Sequence, residues 1–216
     1  MAGTAETTPE RTAATAADAP KTITGRAVPS AVRTTDATVD TPESPAEYIG
    51  RARAKRPRNV LAGPYGHPLH AVAITLPIGA WTASIVFDII AFFVDDASAF
   101  TTGAAVLVAI GLVGSAAAAL LGFLDYSQIP AGTRARAIAT VHMVANLFAM
   151  LLFAVSLVIR WFTGLDEISV PAFVVSLVAM AIVGGSGALG GELAYHFGVR
   201  VADEDEQARV FGARRR

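Results

Sequence analysis

Residues 103–125 read GAAVLVAIGLVGSAAAALLGFLD, and no charged side chain stands anywhere between Asp96 and Asp125. A helix needs about 20 mostly apolar residues to cross the hydrocarbon core of a bilayer, and this run is long enough. Its residues do not alternate with period two, so a barrel strand does not account for it. A soluble helix this apolar on every side would have no face to turn to water. The stretch therefore predicts a transmembrane helix.

Three more runs of the same kind flank it. One spans about 71–94, with Pro77 inside it and Asp88 as its only acid. Another spans about 137–161, uncharged between Arg136 and Arg160 apart from any charge on His142. The last spans about 171–198, uncharged between Glu167 and Glu192. The expected fold is all-α: a transmembrane four-helix up-down bundle over residues 61–199.

The chain is 53% hydrophobic and 16% charged, against roughly 25% charged in a typical soluble domain. The charge is confined to the ends: between residues 61 and 199 the only basic residues are Arg134, Arg136 and Arg160. Residues 1–60 form a tail. Its first 48 or so residues are rich in Ala, Thr and Pro and too poor in large apolar groups to offset chain entropy, so they are expected to be disordered. The tail ends in a basic cluster of Arg51, Arg53, Lys55, Arg56 and Arg58. Residues 200–216 form a second charged tail. No basic stripe with interleaved aromatics is present, which sets nucleic-acid binding aside. With no cysteine, disulfides, thiolate metal sites and iron–sulfur clusters are excluded.

Basic residues precede the first helix, occupy the second connection (Arg134, Arg136) and follow the fourth helix (Arg200, Arg209, Arg214–Arg216). The positive-inside rule then places both termini in the cytoplasm. Trp161 and Tyr126 fit interfacial anchors, while Trp81 lies deeper and is expected between helices. Small residues (Gly111, Gly114, Ala118 and Gly122 in the second helix; Gly184, Gly187 and Gly191 in the fourth, with Gly185 and Gly190 beside them) mark faces where helices can approach closely, including those of a homo-oligomer.

Ionisable groups inside membrane helices are costly and are functional candidates. Pro68 is expected to open the first helix, with His67 as its cap and His70 in its first turn. Asp125 closes the second helix at the same level. His142 lies about 7–8 Å into the third, with Asn146 one turn deeper. Glu192 and His196, four apart, share one face near the end of the fourth. Every helix thus supplies a polar group to one layer. Three chemistries could use it. His70, His142 and His196 are candidate ligands for one haem b, with carboxylates orienting the rings. His67, His70, Asp125, His142, Glu192 and His196 are the alternative set for a transition metal ion. Glu192 and the histidines could instead carry protons or ions. Asp88 lies near the opposite end, without a histidine at its depth. Ligands near one face alone allow at most a single cofactor.

The run Gly66-His67-Pro68-Leu69-His70, followed by Leu76-Pro77-Ile78-Gly79 and Asp88, resembles the start of the bacterial domain-of-unknown-function 2231 membrane proteins. Gly122-Phe123-Leu124-Asp125-Tyr126, and His142 with Asn146, are similar to that family's second and third helices. The resemblance covers about residues 61–161 well and the fourth helix more loosely. It implies a four-helix module of the bacterial inner membrane with no established activity. Some relatives are joined to Rieske-type domains, which implies a redox protein partner. The rival expectation is a non-catalytic assembly or interaction subunit, and a third is a small transporter.

Overall fold

A computed structural model describes residues 44–201 and 204–211. Residues 1–43, where most of the tail expected to be disordered falls, lie outside the described residues, as do 202–203 and 212–216.

Four helices are long and apolar enough to cross a membrane: Leu69–Ala91, Ser98–Tyr126, Arg134–Thr163 and Val170–His196. These are the first to fourth spans, and they stand where the apolar runs predicted them. Helix α1 (Pro45–Lys55) precedes them. The first span consists of α2 (Leu69–Ala73) and α3 (Thr75–Ala91), and the second and third are α4 (Ser98–Tyr126) and α5 (Arg134–Thr163). The fourth is α6 (Val170–Gly191), ending in a π-helical turn over Glu192–His196, and α7 (Glu204–Phe211) follows.

Four local features differ from expectation. Residues 45–55 are helical although they fall within the expected tail. Ser44 accepts from the Glu47 amide while the Glu47 carboxylate accepts from the Ser44 amide, and Pro45 opens the helix; this reciprocal cap satisfies two amides that would otherwise lack partners. Pro68 is itself the cap of the first span, with His67 one residue further out. That span is interrupted at Ile74, because Pro77 has no N–H for the Ala73 carbonyl and its ring crowds that turn. The second span starts at Ser98, ahead of the Gly103 expected, where Asp96 Oδ1 accepts from the Ser98 amide at 3.1 Å and its hydroxyl at 2.7 Å.

The core is aromatic and small. Trp81 of the first span stacks on Phe153 of the third with ring centroids 4.0 Å apart, among Val108, Ala149, Ala179 and Val183. Its indole N–H donates to the Val108 carbonyl at 3.3 Å, which gives the one polar atom of the ring a partner. Gly111 makes room: a Cβ there would stand within 2.5 Å of Trp81 Cδ1. The expectation for Trp81 holds. Large apolar side chains such as Val113 and Leu120 cover the outside, as lipid-facing helices require. Trp161 is exposed at the end of the third span. Tyr126 is tied down instead, its hydroxyl 2.9 Å from Thr140 Oγ1 and its ring under the Arg136 guanidinium. A second cluster, Ala54, Ile129, Ala139 and Leu193, seats α1 against the bundle end that carries the histidines.

Candidate functional site

His70 leaves the first turn of its span and crosses to the second. Its Nδ1 lies 2.9 Å from the Ala118 carbonyl oxygen. A carbonyl can only accept, so Nδ1 carries the proton, and in the neutral ring Nε2 keeps its lone pair. The ring sits on Gly122, where a Cβ would come 2.8 Å from His70 Cε1.

His142 does the same between the third and fourth spans. Its Nδ1 lies 2.8 Å from the Ser186 carbonyl oxygen, and the ring sits on Gly190, where a Cβ would come 3.1 Å from Cε1. Asn146 and the Ser186 hydroxyl add a small network, with Asn146 Nδ2 2.7 Å from Ser186 Oγ. That amide nitrogen is 3.2 Å from His142 Nε2 and 3.5 Å from its Nδ1. Being nearly equidistant from both ring nitrogens, it does not lie along the Nε2 lone pair. The two imidazoles meet edge to face, ring centroids 6.5 Å apart and planes at 90°. Two half-buried histidines from different helices are thus oriented through Nδ1 by backbone carbonyls, the arrangement that fixes the tautomer of a ligating histidine.

The other expected residues stand elsewhere. Asp125 is buried and faces Arg200, whose Nε is 3.0 Å from Asp125 Oδ1. His67 takes part through its carbonyl, which accepts from Arg200 Nη2 at 3.1 Å. Glu192 and His196 bind each other across one turn, with the His196 side chain 72% exposed. Among the described residues no three His, Asp or Glu side chains converge as ligands for an ion. The layer therefore divides into a histidine pair, an Asp125–Arg200 latch and an outward-facing Glu192–His196 pair.

Asp88 has a partner that sequence reasoning missed. Arg160 donates Nη1 to Asp88 Oδ1 at 2.7 Å and Nη2 to Oδ2 at 2.5 Å, and the two side chains are 4% and 6% exposed. Arg160 lies three residues from the end of the third span, where the 137–161 run placed it; its partner across the bundle was not legible. The Arg200 contact to Asp125 and the glycine seats of both histidines were also missed; only the small-residue spacing hinted at the seats.

Fold and site together define a multi-pass, four-helix membrane protein with two tautomer-fixed histidines at one end of the bundle. The chain belongs to the DUF2231 family, described as predicted membrane proteins, whose family model matches residues 66–203. No curated protein and no solved structure matches the chain.

Proposed function

We propose that the bundle holds one transition-metal centre, a haem b iron or a single metal ion, between His70 and His142, and serves membrane redox chemistry with a redox protein partner. The observation that carries this reading is the pair itself: each Nδ1 is anchored to a carbonyl and the ring centroids stand 6.5 Å apart. Nitrogen–metal bonds of about 2.0–2.1 Å on a shared ion put two ring centroids roughly 6 Å apart. Both donors are neutral, and the nearby Asp125 is already matched by Arg200. An uncompensated dication is costly in an apolar span, so the charge balance favours iron that brings its own porphyrin dianion. His196 and Glu192, facing outward, fit ligand roles less well. The setting proposed is the bacterial inner membrane, with both termini cytoplasmic, as the basic residues at the histidine end suggest.

The test is an absorption spectrum and metal analysis of the purified protein, before and after incubation with hemin, Co(II) or Zn(II). A Soret band or a bound ion whose affinity His70→Ala and His142→Ala each weaken supports the reading. Neither hemin nor metal bound by the native chain would sink it.

One observation favours a second reading, a non-catalytic assembly subunit. A Cβ on Gly184, Gly185 or Gly187 of the fourth span would meet nothing within 4 Å, so that small-residue face is open to a second copy or another helix. Gly184→Leu and Gly187→Leu would then abolish oligomers in mild detergent while leaving the histidine pair untouched.

A further inference from the structure

The side-chain pairs that join the first and third spans follow one arithmetic. Asp88 and Arg160, which pair, are 72 residues apart. Trp81 and Phe153, which stack, share that spacing, and so do His70 and His142. The burial of the two spans keeps step at the same offset: Pro77 with Ala149, and Ser84 with Ser156, are buried as well. The second and fourth spans keep step at an offset of 68. Ala118 and Ser186, whose carbonyls hold the two histidines, are related by it, and so are their glycine seats, Gly122 and Gly190. Buried Ala104, Val108 and Gly111 likewise correspond to buried Ala172, Ser176 and Ala179.

We infer that the chain is one two-helix hairpin used twice, its halves related by half a turn about an axis along the bundle, and that Asp88 and Arg160 are positioning residues that set the first and third spans so that His70 and His142 meet. Three reasons carry it. The first and third spans run the same way, as such a rotation demands of equivalent helices. Each of the three side-chain pairs joins a residue to its own equivalent, which happens only on the axis. Each histidine uses the same atom, Nδ1, to reach the equivalent carbonyl and rests on the equivalent glycine. The ion pair lies eighteen residues beyond the histidines, about 27 Å along the helices, and so fixes the rotation of both spans at the far end. The pair is the one axial position where the halves carry opposite charge. Two identical charges meeting there would repel in a buried site, so divergence of the halves at this position is what the symmetry itself requires.

The inference is independent of any ligand, and its test uses the cysteine-free full chain. His70→Cys with His142→Cys, treated with a short bifunctional thiol reagent, reports whether the histidine positions meet. The cross-link is expected to form in the Asp88/Arg160 background. It is expected to fall at least fivefold in Asp88→Arg or Arg160→Asp alone and to return in the double exchange Asp88→Arg/Arg160→Asp, because equivalent positions offer each side chain the same surroundings. An exchange variant that fails to fold or to cross-link, or single variants that cross-link like the parent, would overturn it. A second exchange probes the core. Trp81→Phe/Phe153→Trp should lower the melting temperature, because the moved indole meets Ala179 where Trp81 met Gly111. Adding Gly111→Ala/Ala179→Gly should restore it, and no recovery counts against the equivalence. Because neither readout involves hemin or metal, failure of the proposed function leaves these outcomes intact, and the reverse holds too.

Discussion

Replacing Asp88 by Ala leaves the Arg160 guanidinium in a site closed to water and lipid alike. The two side chains are 4% and 6% exposed and joined by two near-parallel hydrogen bonds. Arg160 Nε already lacks an acceptor among the described residues, so the surroundings offer the cation nothing in exchange. Breaking a buried pair by removing one partner costs about 3–5 kcal/mol, which lowers the folded-to-unfolded ratio by a factor on the order of 10²–10³ at about 1.4 kcal/mol per decade. Removing both charges at once is a different perturbation. Asp88→Leu/Arg160→Met exchanges the desolvated ions for apolar volume, and such replacements are often neutral or stabilising by about 1–4 kcal/mol. Equilibrium unfolding in mixed micelles measures both, with Trp81 fluorescence as the signal in a Trp161→Phe background. Trp81 is stacked in the core and Trp161 is exposed, so the remaining indole reports on packing between the first and third spans. A single variant that loses less than about 1 kcal/mol, in the range of exposed ion pairs, would refute the reasoning. So would a double variant as unstable as Asp88→Ala.

The glycine seats give graded expectations. Gly111→Ala puts a Cβ into the Trp81 indole and is expected to cost about 1–3 kcal/mol, the usual scale of overpacking, read in the same unfolding assay. Gly122→Ala meets the His70 ring at 2.8 Å and Gly190→Ala meets the His142 ring at 3.1 Å, so the first should displace its imidazole more, seen as a larger shift of that ring's NMR signals. Ser44→Ala removes the hydroxyl half of the α1 cap and should cost that helix about 0.5–2 kcal/mol, visible as faster amide exchange over residues 45–50 with the spans unchanged. At the start of the second span, the Ser98 hydroxyl and then its amide hold the Asp96 carboxyl below the usual carboxylate range. A depressed folded value means that this contribution is present above the unfolded pKa and lost as pH falls through the folded one. The protection of the Ser98 amide, its exchange taken relative to the intrinsic rate at the same pH, should therefore fall on acidification, and Asp96→Asn should remove that loss.

The fold was legible because the bilayer imposes its length on the chain. Four apolar runs of twenty or more residues, nearly free of charge, admit few other structures, and all four spans stand where those runs are. The depth of each polar group could be read for the same reason, since depth is residue count times rise. Rotation about the helix axis could not. His70, Asp125, His142 and His196 share a level, yet His196 points outward while His70 and His142 meet. A residue count fixes height along a helix, and only packing against neighbouring helices fixes which way a side chain faces. Helix α1 shows a related gap. Ser44, Pro45 and Glu47 spell a cap, but the segment lies in a polar tail whose composition argued for disorder, and what holds α1 is Ala54 packing on Ile129 and Leu193, residues far away in sequence.

The repeat stayed hidden for a sharper reason. Two halves that meet on an axis must differ wherever identical side chains would clash or repel, and those are the positions a reader would compare. Asp88 faces Arg160 and Trp81 faces Phe153; neither pair looks like a repeat in one dimension, since one is a charge reversal and the other a change of ring size. The offsets also differ, 72 for one pair of helices and 68 for the other, so no single shift aligns the halves. Histidine is the exception that the axis tolerates. Two neutral imidazoles can face each other without a charge penalty while each gives its Nδ1 proton to its own hairpin. Of the three axial positions, then, this is the one where the halves could stay identical, and it is where a ligand that accepts two equal nitrogen donors would sit. The same logic predicts that His70→Ala and His142→Ala weaken any such ligand by similar factors, within about threefold of each other. The remaining difference is set by Asn146 and the Ser186 hydroxyl, which only the second half possesses. Titration of the two variants with Co(II) or hemin measures the ratio. A tenfold or greater disparity that survives Asn146→Ile, the residue type at the matching position in the first half, would show that the two nitrogens are not equivalent donors.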